Sequence, residues 1–296
     1  MAVDRPSGDE KQAPRVQFEH VTKHYPGPDG RPVAAVDDVS LEMAPGQITV
    51  LVGSSGSGKT TLLRCVNRMV TPTSGRVLID GEDVAGLDAV QLRRTIGYVM
   101  QESGLLPHRR VVDNIATVPR LNGLPRRDAH DRALALMDMV GLARSLATRY
   151  PRELSGGQRQ RVGVARALAA SPRLLLMDEP FGAVDPIVRA DLQLELRTMQ
   201  AELACTIIFV THDISEALIL GDHVVILAEA GRIAQQGSGT DLVAHPADDF
   251  VASFLGVDTE RELHVREVDG VELVVDAAGR PIGRLGGASP AKEAAR

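Results

Sequence analysis

The sequence predicts an α/β fold built on a parallel sheet, and three observations carry that prediction. "RLLLMDEP" (173–180) and "TIIFVTHD" (206–213) are short apolar runs closed by polar residues. That is the pattern of buried parallel strands whose C-terminal ends carry chemistry. Between them, "RADLQLELRTMQAEL" (189–203) reads as a crossover helix. Upstream, "QITVLVG" is a third apolar run. It feeds a Gly-rich turn and then "KTTLLRCVNRMV" (59–70), which reads as a helix.

Taken in order, residues 1–14 are rich in charge, Pro and Gly and read as a disordered tail. "VQFEHVTKHY" and "AAVDDVSLEM" read as strands, with turn signals at "DGRP" (29–32) and "APG" (44–46). "GRVLIDGEDV" is a further strand and turn, and "TIGYVMQ" another strand. Residues 102–168 are helical and polar, punctuated by Pro107, Pro119, Pro125 and Pro151. Within them "RRDAHDRALALMDMVGL" has apolar residues at 133, 134, 136, 137, 140 and 142, an amphipathic helix. After 240 the pattern weakens. "DLVAHPADDFVASFLG" reads as one short helical stretch, "VELVVDAAGRPIGRL" as a hairpin turning at 277–280, and "GGASPAKEAAR" as disordered. The expected organisation is therefore a tail (1–14), a main domain (15–240) and a short extension (241–296).

A hydrophobic content of 44% over 296 residues suffices for a sizeable core. Lys plus Arg is 33 against 39 Asp plus Glu, a net charge of -6, which argues against a nucleic-acid partner. Cys65 and Cys205 sit in apolar runs and read as reduced, buried thiols, with a structural disulfide as the alternative. The charged opening residues lack the apolar core of a leader, and no apolar run approaches the ~20 residues that span a bilayer. A membrane role is expected only through a partner.

The chemistry starts at Gly53, Ser54, Ser55, Gly56, Ser57, Gly58, Lys59 and Thr60, which match G-x-x-x-x-G-K-[ST] between a strand and a helix. Glycines let backbone N–H groups turn inward around phosphate oxygens, and the helix N-terminus adds a partial charge of ~0.5. Lys59 can reach the outer phosphates and the Thr60 hydroxyl can bind Mg²⁺. Asp178 ends a buried strand and can hold Mg²⁺ through water. Glu179 follows and can orient or deprotonate an attacking water. Adjacent carboxylates also suit a solvated strand end, but beside a phosphate loop catalysis is favoured. His212 ends another buried strand that should lie near the phosphate-loop strand, within reach of a γ-phosphate. Gln101 ends "IGYVMQ", where a solvated loop Gln is the alternative. Tyr25, in "TKHYPG", can stack on a base.

A second small loop, "LSGGQ" (154–158), opens the helix "QRQRVGVARAL". Ser155 there suits an N-cap or a phosphate contact, which share one geometry. The order of these motifs resembles that of the ATP-binding-cassette ATPases over about residues 16–240. The resemblance makes Tyr25 the adenine-stacking aromatic and residues 53–60, with Thr61, the Walker A loop. Gln101 becomes the Q-loop and a further metal contact. Ser155, Gly156, Gly157 and Gln158 fall in the signature, Asp178 and Glu179 in Walker B, Asp185 in the D-loop, and His212 is the switch histidine. The implied fold is a RecA-like P-loop NTPase core with an antiparallel β subdomain and an inserted helical signature subdomain at about 102–168. The implied cofactors are ATP and Mg²⁺. The implied assembly is an ATP-bound homodimer in which each signature covers the partner's nucleotide. It docks on transmembrane permease subunits at the cytoplasmic membrane face, served indirectly by a substrate-binding protein.

Within that family, "NIATVPRLNG" is similar to the cassettes of osmoprotectant importers for glycine betaine, carnitine, choline or proline. One feature departs from many of them. Residues 241–296 are too short for the tandem CBS pair that senses ionic strength. An importer cassette for an amino acid or polyamine is the near alternative. A non-transport member, in DNA repair or translation, lacks support because neither long coiled coils nor a second cassette is present.

Overall fold

The computed structural model describes residues 13–27, 29–182, 184–257, 263–276 and 279–285. Most of the expected tail (1–12), the terminal stretch 286–296, and Ala277 and Ala278 of the expected turn lie outside them. The chain divides into two units, residues 1–242 and 243–296.

In the first unit, β1 (Val16–Pro26) and β2 (Pro32–Met43) pair antiparallel, with Val16 opposite Met43. β3 (Ile48–Gly53) is buried at every residue and leads into α1 (Lys59–Val66). The expected helix to residue 70 stops early. Arg68 turns left-handed at φ 55, and the amides of Met69 and Val70 both donate to the Arg64 carbonyl. β4 (Ser74–Ile79) and β5 (Glu82–Asp83) return to the first sheet, whose order is β2-β1-β4-β5. α2 (Ala89–Thr95) is capped by Asp88, which accepts from the Gln91 amide at 2.8 Å. Arg93 on α2 donates to the Asn67 and Arg68 carbonyls and closes the end of α1.

β6 (Ile96–Val99) precedes the helical insertion of α3 (Val111–Ile115), α4 (Thr117–Leu121), α5 (Arg126–Met139) and α6 (Gly156–Leu168). Buried Asn114 organises its entry loop. Its amide oxygen accepts from the Leu106 amide at 2.7 Å, and its amide nitrogen donates to the carbonyls of Leu106, Arg109 and Arg110. β7 (Leu174–Asp178), α7 (Pro186–Leu203), β8 (Thr206–Thr211), α8 (Ile214–Leu220), β9 (His223–Leu227) and β10 (Ile233–Gly237) complete the second sheet. Its order is β10-β9-β3-β8-β7-β6, parallel except at β10. One core joins both sheets over α1: Phe18 and Val21 from β1, Leu62, Leu63 and Val66 from α1, Leu176 from β7 and Ile208 from β8. Each such side chain contributes about 1.5–3 kcal/mol on burial. Cys65 and Cys205 are free and buried, and burial pushes both thiols up to about 11. Among the described residues no helix is long and apolar enough to cross a membrane.

α9 (Gly239–Ala244) and α10 (Asp249–Leu255) replace the single helical stretch expected after 240. Pro246 disfavours helix at the residue before it, and Asp248 restarts one by accepting from the Val251 amide at 2.8 Å. In the second unit β11 (His264–Val268), β12 (Val271–Val275) and β13 (Pro281–Arg284) form an antiparallel sheet in chain order. The expected hairpin is β12–β13. β11 escaped the sequence reading because "HVREV" is brief and exposed at every position, so burial leaves no pattern in it.

Ending the chain after Leu242 is expected to leave a folded protein whose nucleotide affinity stays within about twofold of the full chain, because the phosphate loop and the strands that carry it lie in the first unit. Titration of the truncated, circular-dichroism-verified protein checks this. Lost binding in a folded sample would place a needed element beyond 242.

Candidate functional site

The loop from β3 to α1 is shaped by its glycines and closed by its lysine. A Cβ on Gly53 would stand 2.3 Å from the Leu227 carbonyl oxygen of β9. Gly58, at φ 88, is the N-cap of α1, and a Cβ there would stand 2.3 Å from the Ala35 carbonyl oxygen. Lys59 is buried, and its ammonium donates to the carbonyls of Gly53 (2.8 Å) and Ser54 (2.7 Å) and to Ser57 Oγ (3.3 Å). Burial pulls the Lys59 pKa down, while the charges of Glu179 and Asp178 push it back up. α1 has no side-chain cap, so its first amides remain available to an anion. A buried cation stitched to neutral carbonyls beside an uncapped helix end fits a phosphate chain, which supplies the missing negative charge.

Asp178 closes β7 with its carboxylate buried. Its Oδ1 accepts from Thr60 Oγ1 at 2.8 Å. Its Oδ2 accepts from the Tyr98 hydroxyl at 3.4 Å and lies 3.5 Å from Arg64 Nη2. Arg64 Nε also donates to the Tyr98 oxygen at 3.4 Å. That hydrogen bond is the main cause raising the Arg64 guanidinium, and burial raises the Tyr98 phenol. Arg64 and Tyr98 went unnoticed in the sequence. One signal was available: Arg64 stands four residues after Thr60, on the same helix face. Thr61 is half-buried in the first turn beside Thr60.

Glu179 follows with φ 45, a left-handed backbone that costs a non-glycine residue of order 1–3 kcal/mol. Its amide donates to the Val210 carbonyl at 2.9 Å, which ties it to β8. Its Oε2 accepts from Gln101 Nε2 at 3.0 Å and lies 3.3 Å from His212 Nδ1. The three residues leave the C-terminal ends of the adjacent strands β7, β6 and β8. β8 is also the hydrogen-bonded neighbour of β3, with Thr211 opposite Val52. Residues 53–61, Gln101, Asp178, Glu179 and His212 therefore meet along one sheet edge.

Ser155 N-caps α6, accepting from the Gln158 amide at 3.2 Å while Gln158 Oε1 accepts from the Ser155 amide at 2.9 Å. This reciprocal box realises the capping alternative of the sequence. Gly156 and Gly157 open the first turn of α6, and among the described residues a Cβ on Gly157 would meet nothing within 4 Å outside its own helix backbone and chain neighbours. Tyr25 is 40% exposed, with Lys23 Nζ 5.2 Å from its ring centroid. Among the described residues no hydrogen bond joins Tyr25 or residues 155–158 to the cluster at the sheet edge. Asp185 is exposed, and its carbonyl accepts from the Arg189 amide at 2.8 Å at the start of α7. Arg166 was also missed. It reaches back from α6 to the carbonyls of Ser103 (2.7 Å) and Gly104 (2.6 Å), both left-handed, and straps the segment after Gln101.

The sequence model of a family described as ABC transporter matches residues 36–182. The osmoprotectant import ATP-binding protein OsmV of Salmonella typhimurium is 50% identical over 244 residues, covering 82% of this chain and 64% of that protein. The choline transport ATP-binding protein OpuBA of Bacillus subtilis is 45% identical over 259 residues, 88% of this chain and 67% of that one. The glycine betaine uptake system ATP-binding protein YehX of Escherichia coli is 47% identical over 251 residues, 85% and 79% respectively. The chain thus spans about two thirds of the length of the first two relatives. A dimeric ATP-binding cassette in a post-hydrolysis state, bound to ADP and Pi, superposes with a TM-score of 0.70 at 31% identity. It covers 75% of this chain and 98% of its own.

Lys59→Ala is expected to remove a charge-assisted contact worth about 1.5–3 kcal/mol and so to weaken ATP binding about tenfold or more. Fluorescence titration with a nucleotide analogue reads this directly, and unchanged affinity in folded protein would contradict the phosphate assignment.

Proposed function

The chain belongs to the ABC transporter family, and from that premise we propose that it is the ATP-binding and ATP-hydrolysing subunit of an importer for a small quaternary-amine osmoprotectant such as glycine betaine. The observation that carries the ATPase reading is the convergence of Gln101 and His212 on one oxygen of Glu179, beside a buried Lys59 and a Thr60–Asp178 pair. Solute class rests on the names of relatives that transport or import such compounds.

In this reading residues 15–240 form the ATPase domain. Tyr25 stacks on the adenine, and residues 53–61 wrap the phosphates. Lys59 exchanges its carbonyl partners for phosphate oxygens. Thr60 and Asp178, with Gln101, would hold Mg²⁺, which neutralises charge on the phosphates when bound. Glu179 orients the attacking water and takes its proton. Gln101 and His212 on its Oε2 fix the carboxylate, and His212 faces the γ-phosphate. Two chains form an ATP-bound homodimer, each signature loop closing on the partner's nucleotide, with Asp185 beside that interface. Permease subunits carry the solute across the membrane, and the chain sits on their cytoplasmic side. A binding protein delivers the solute.

Gly157 supports the trans role of the signature. A glycine in a helix costs up to about 1 kcal/mol relative to alanine, and among the described residues nothing outside its own helix backbone crowds the Gly157 Cβ position. The space it leaves is therefore free for an approach from outside the chain. The Ser155–Gln158 box is compatible with this, because capping holds the Ser155 hydroxyl and the first amides at one fixed end of α6.

Glu179→Gln is expected to retain ATP while hydrolysis falls by ~10²–10⁴, the usual contribution of a general base. Phosphate release measures the rate, and labelled glycine betaine uptake in a deletion strain should return with the wild-type gene only. Near-normal turnover by the variant would overturn the assignment of Glu179, and uptake unaffected by deletion would overturn the solute.

Gly157→Ala is expected to leave α6 as stable or up to ~1 kcal/mol more stable, yet to reduce nucleotide trapping in a Glu179→Gln background. Thermal unfolding and a filter assay for trapped ATP separate the two effects. Undiminished trapping would remove the signature from the nucleotide interface.

A further inference from the structure

His212 is 58% exposed at its side chain, so its own packing does not fix its position against Glu179. Its two chain neighbours are anchored instead. Thr211 Oγ1 donates to buried Glu216 Oε2 at 2.7 Å and accepts from the Asp213 amide at 3.0 Å. Asp213 Oδ1 caps α8, accepting from the amides of Ser215 (2.8 Å) and Glu216 (3.4 Å). The turn that carries His212 therefore hangs on two carboxylates, Asp213 and Glu216.

Both carboxylates face one guanidinium. Arg189, on the first turns of α7, donates Nη1 to Asp213 Oδ2 at 3.3 Å. Its Nε lies 3.7 Å from Glu216 Oε1 and, among the described residues, makes no hydrogen bond. Its Nη2 donates to the Val184 carbonyl at 3.3 Å, one residue before Asp185. A planar guanidinium with its donors spread in a fixed fork can face three separate acceptors in this way. Burial raises Glu216, and the Arg189 and His212 charges oppose that rise, while the Asp213 charge adds to it.

We propose that Arg189 is a positioning residue for hydrolysis: it locks the turn bearing His212 to the loop before α7, so that His212 meets Glu179 in the geometry seen here. The proposal rests on the ATPase reading and deepens it. Among the described residues no hydrogen bond or ion pair joins Arg189 to Glu179 or to the phosphate loop, so its loss acts on turnover and spares ATP binding. Val184 and the turn at His212 are thereby joined through a single side chain.

The test is a double-mutant cycle on the full chain, read as kcat and KM for ATP. Arg189→Ala is expected to lower kcat about tenfold, within the ~10²-fold that a misplacement of ~1 Å can cost, with KM unchanged within about twofold. Asp213→Asn keeps the helix cap but breaks the ion pair, and is expected to lower kcat in the same direction. It keeps the test open should Arg189→Ala fail to fold. The double variant should be no slower than the slower single one. Full additivity, or a kcat for either single variant within about twofold of wild type, would overturn the proposal. So would a fall in ATP affinity as large as the fall in kcat. A wild-type rate no higher than that of Glu179→Gln would instead overturn the ATPase reading, and this proposal with it.

Discussion

The parallel register of β3, β8, β7 and β6 is the constraint on which the rest of the site depends. In a parallel sheet every strand ends on the same edge, and these ends are held a hydrogen-bond spacing apart. β7 lies between β8 and β6, with Asp178 opposite Val210 and Val99 opposite Met177. Residues that leave the three ends one to two positions later must meet. Gln101, Glu179 and His212 do so at 3.0 and 3.3 Å, although 78 and 33 residues of chain separate them from one another in turn. β3, β7 and β8 are buried at every residue, so the strands that carry these ends lie inside the core. The core that stabilises the fold is thus the device that aligns the chemistry.

Charge is concentrated at that edge and kept in balance. Lys59 and Asp178 are both buried, and buried charges persist only where partners are at hand. Asp178 has the Thr60 and Tyr98 hydroxyls and the nearby Arg64 guanidinium, so its carboxylate is satisfied within the chain. Lys59 has carbonyl dipoles instead of a contacting anion. The cation is the less compensated of the two, which suits a loop whose ligand is polyanionic. Glu179 holds a left-handed backbone in the same place, so part of the folding free energy is spent on conformation at this strand end.

The helical insertion answers to different physics. Its helix α6 is organised at both ends by polar contacts: the Ser155–Gln158 box at its start, and Arg166 near its end, bonded to the segment that follows Gln101. One rigid helix therefore connects the loop after Gln101 with the residues that open α6. A short structural route from the segment after Gln101 into α6 runs through Arg166. That route consists of hydrogen bonds to carbonyls, which fix distance and direction more sharply than apolar packing does.

The sequence alone determined the parts whose chemistry is local. The loop at 53–60 announces itself, because the glycines, the lysine and the threonine act through backbone shape and fixed spacing along one turn. The strand ends at Asp178 and His212 were legible for a similar reason: burial on both faces forces long apolar runs, and a polar residue closing such a run stands out. The cap at Ser155 follows from a motif four residues long. Tertiary structure alone decided the contacts between distant segments. Arg64 and Tyr98 on Asp178, Arg166 on the loop after Gln101, and Arg189 between Val184, Asp213 and Glu216 all join pieces set side by side by sheet order and helix packing. An arginine in sequence is one more solvated charge until the fold brings carboxylates and carbonyls within about 3 Å of it. β11 shows the same limit from the other side. Its five exposed residues carry no burial pattern, and only pairing with β12 makes them a strand.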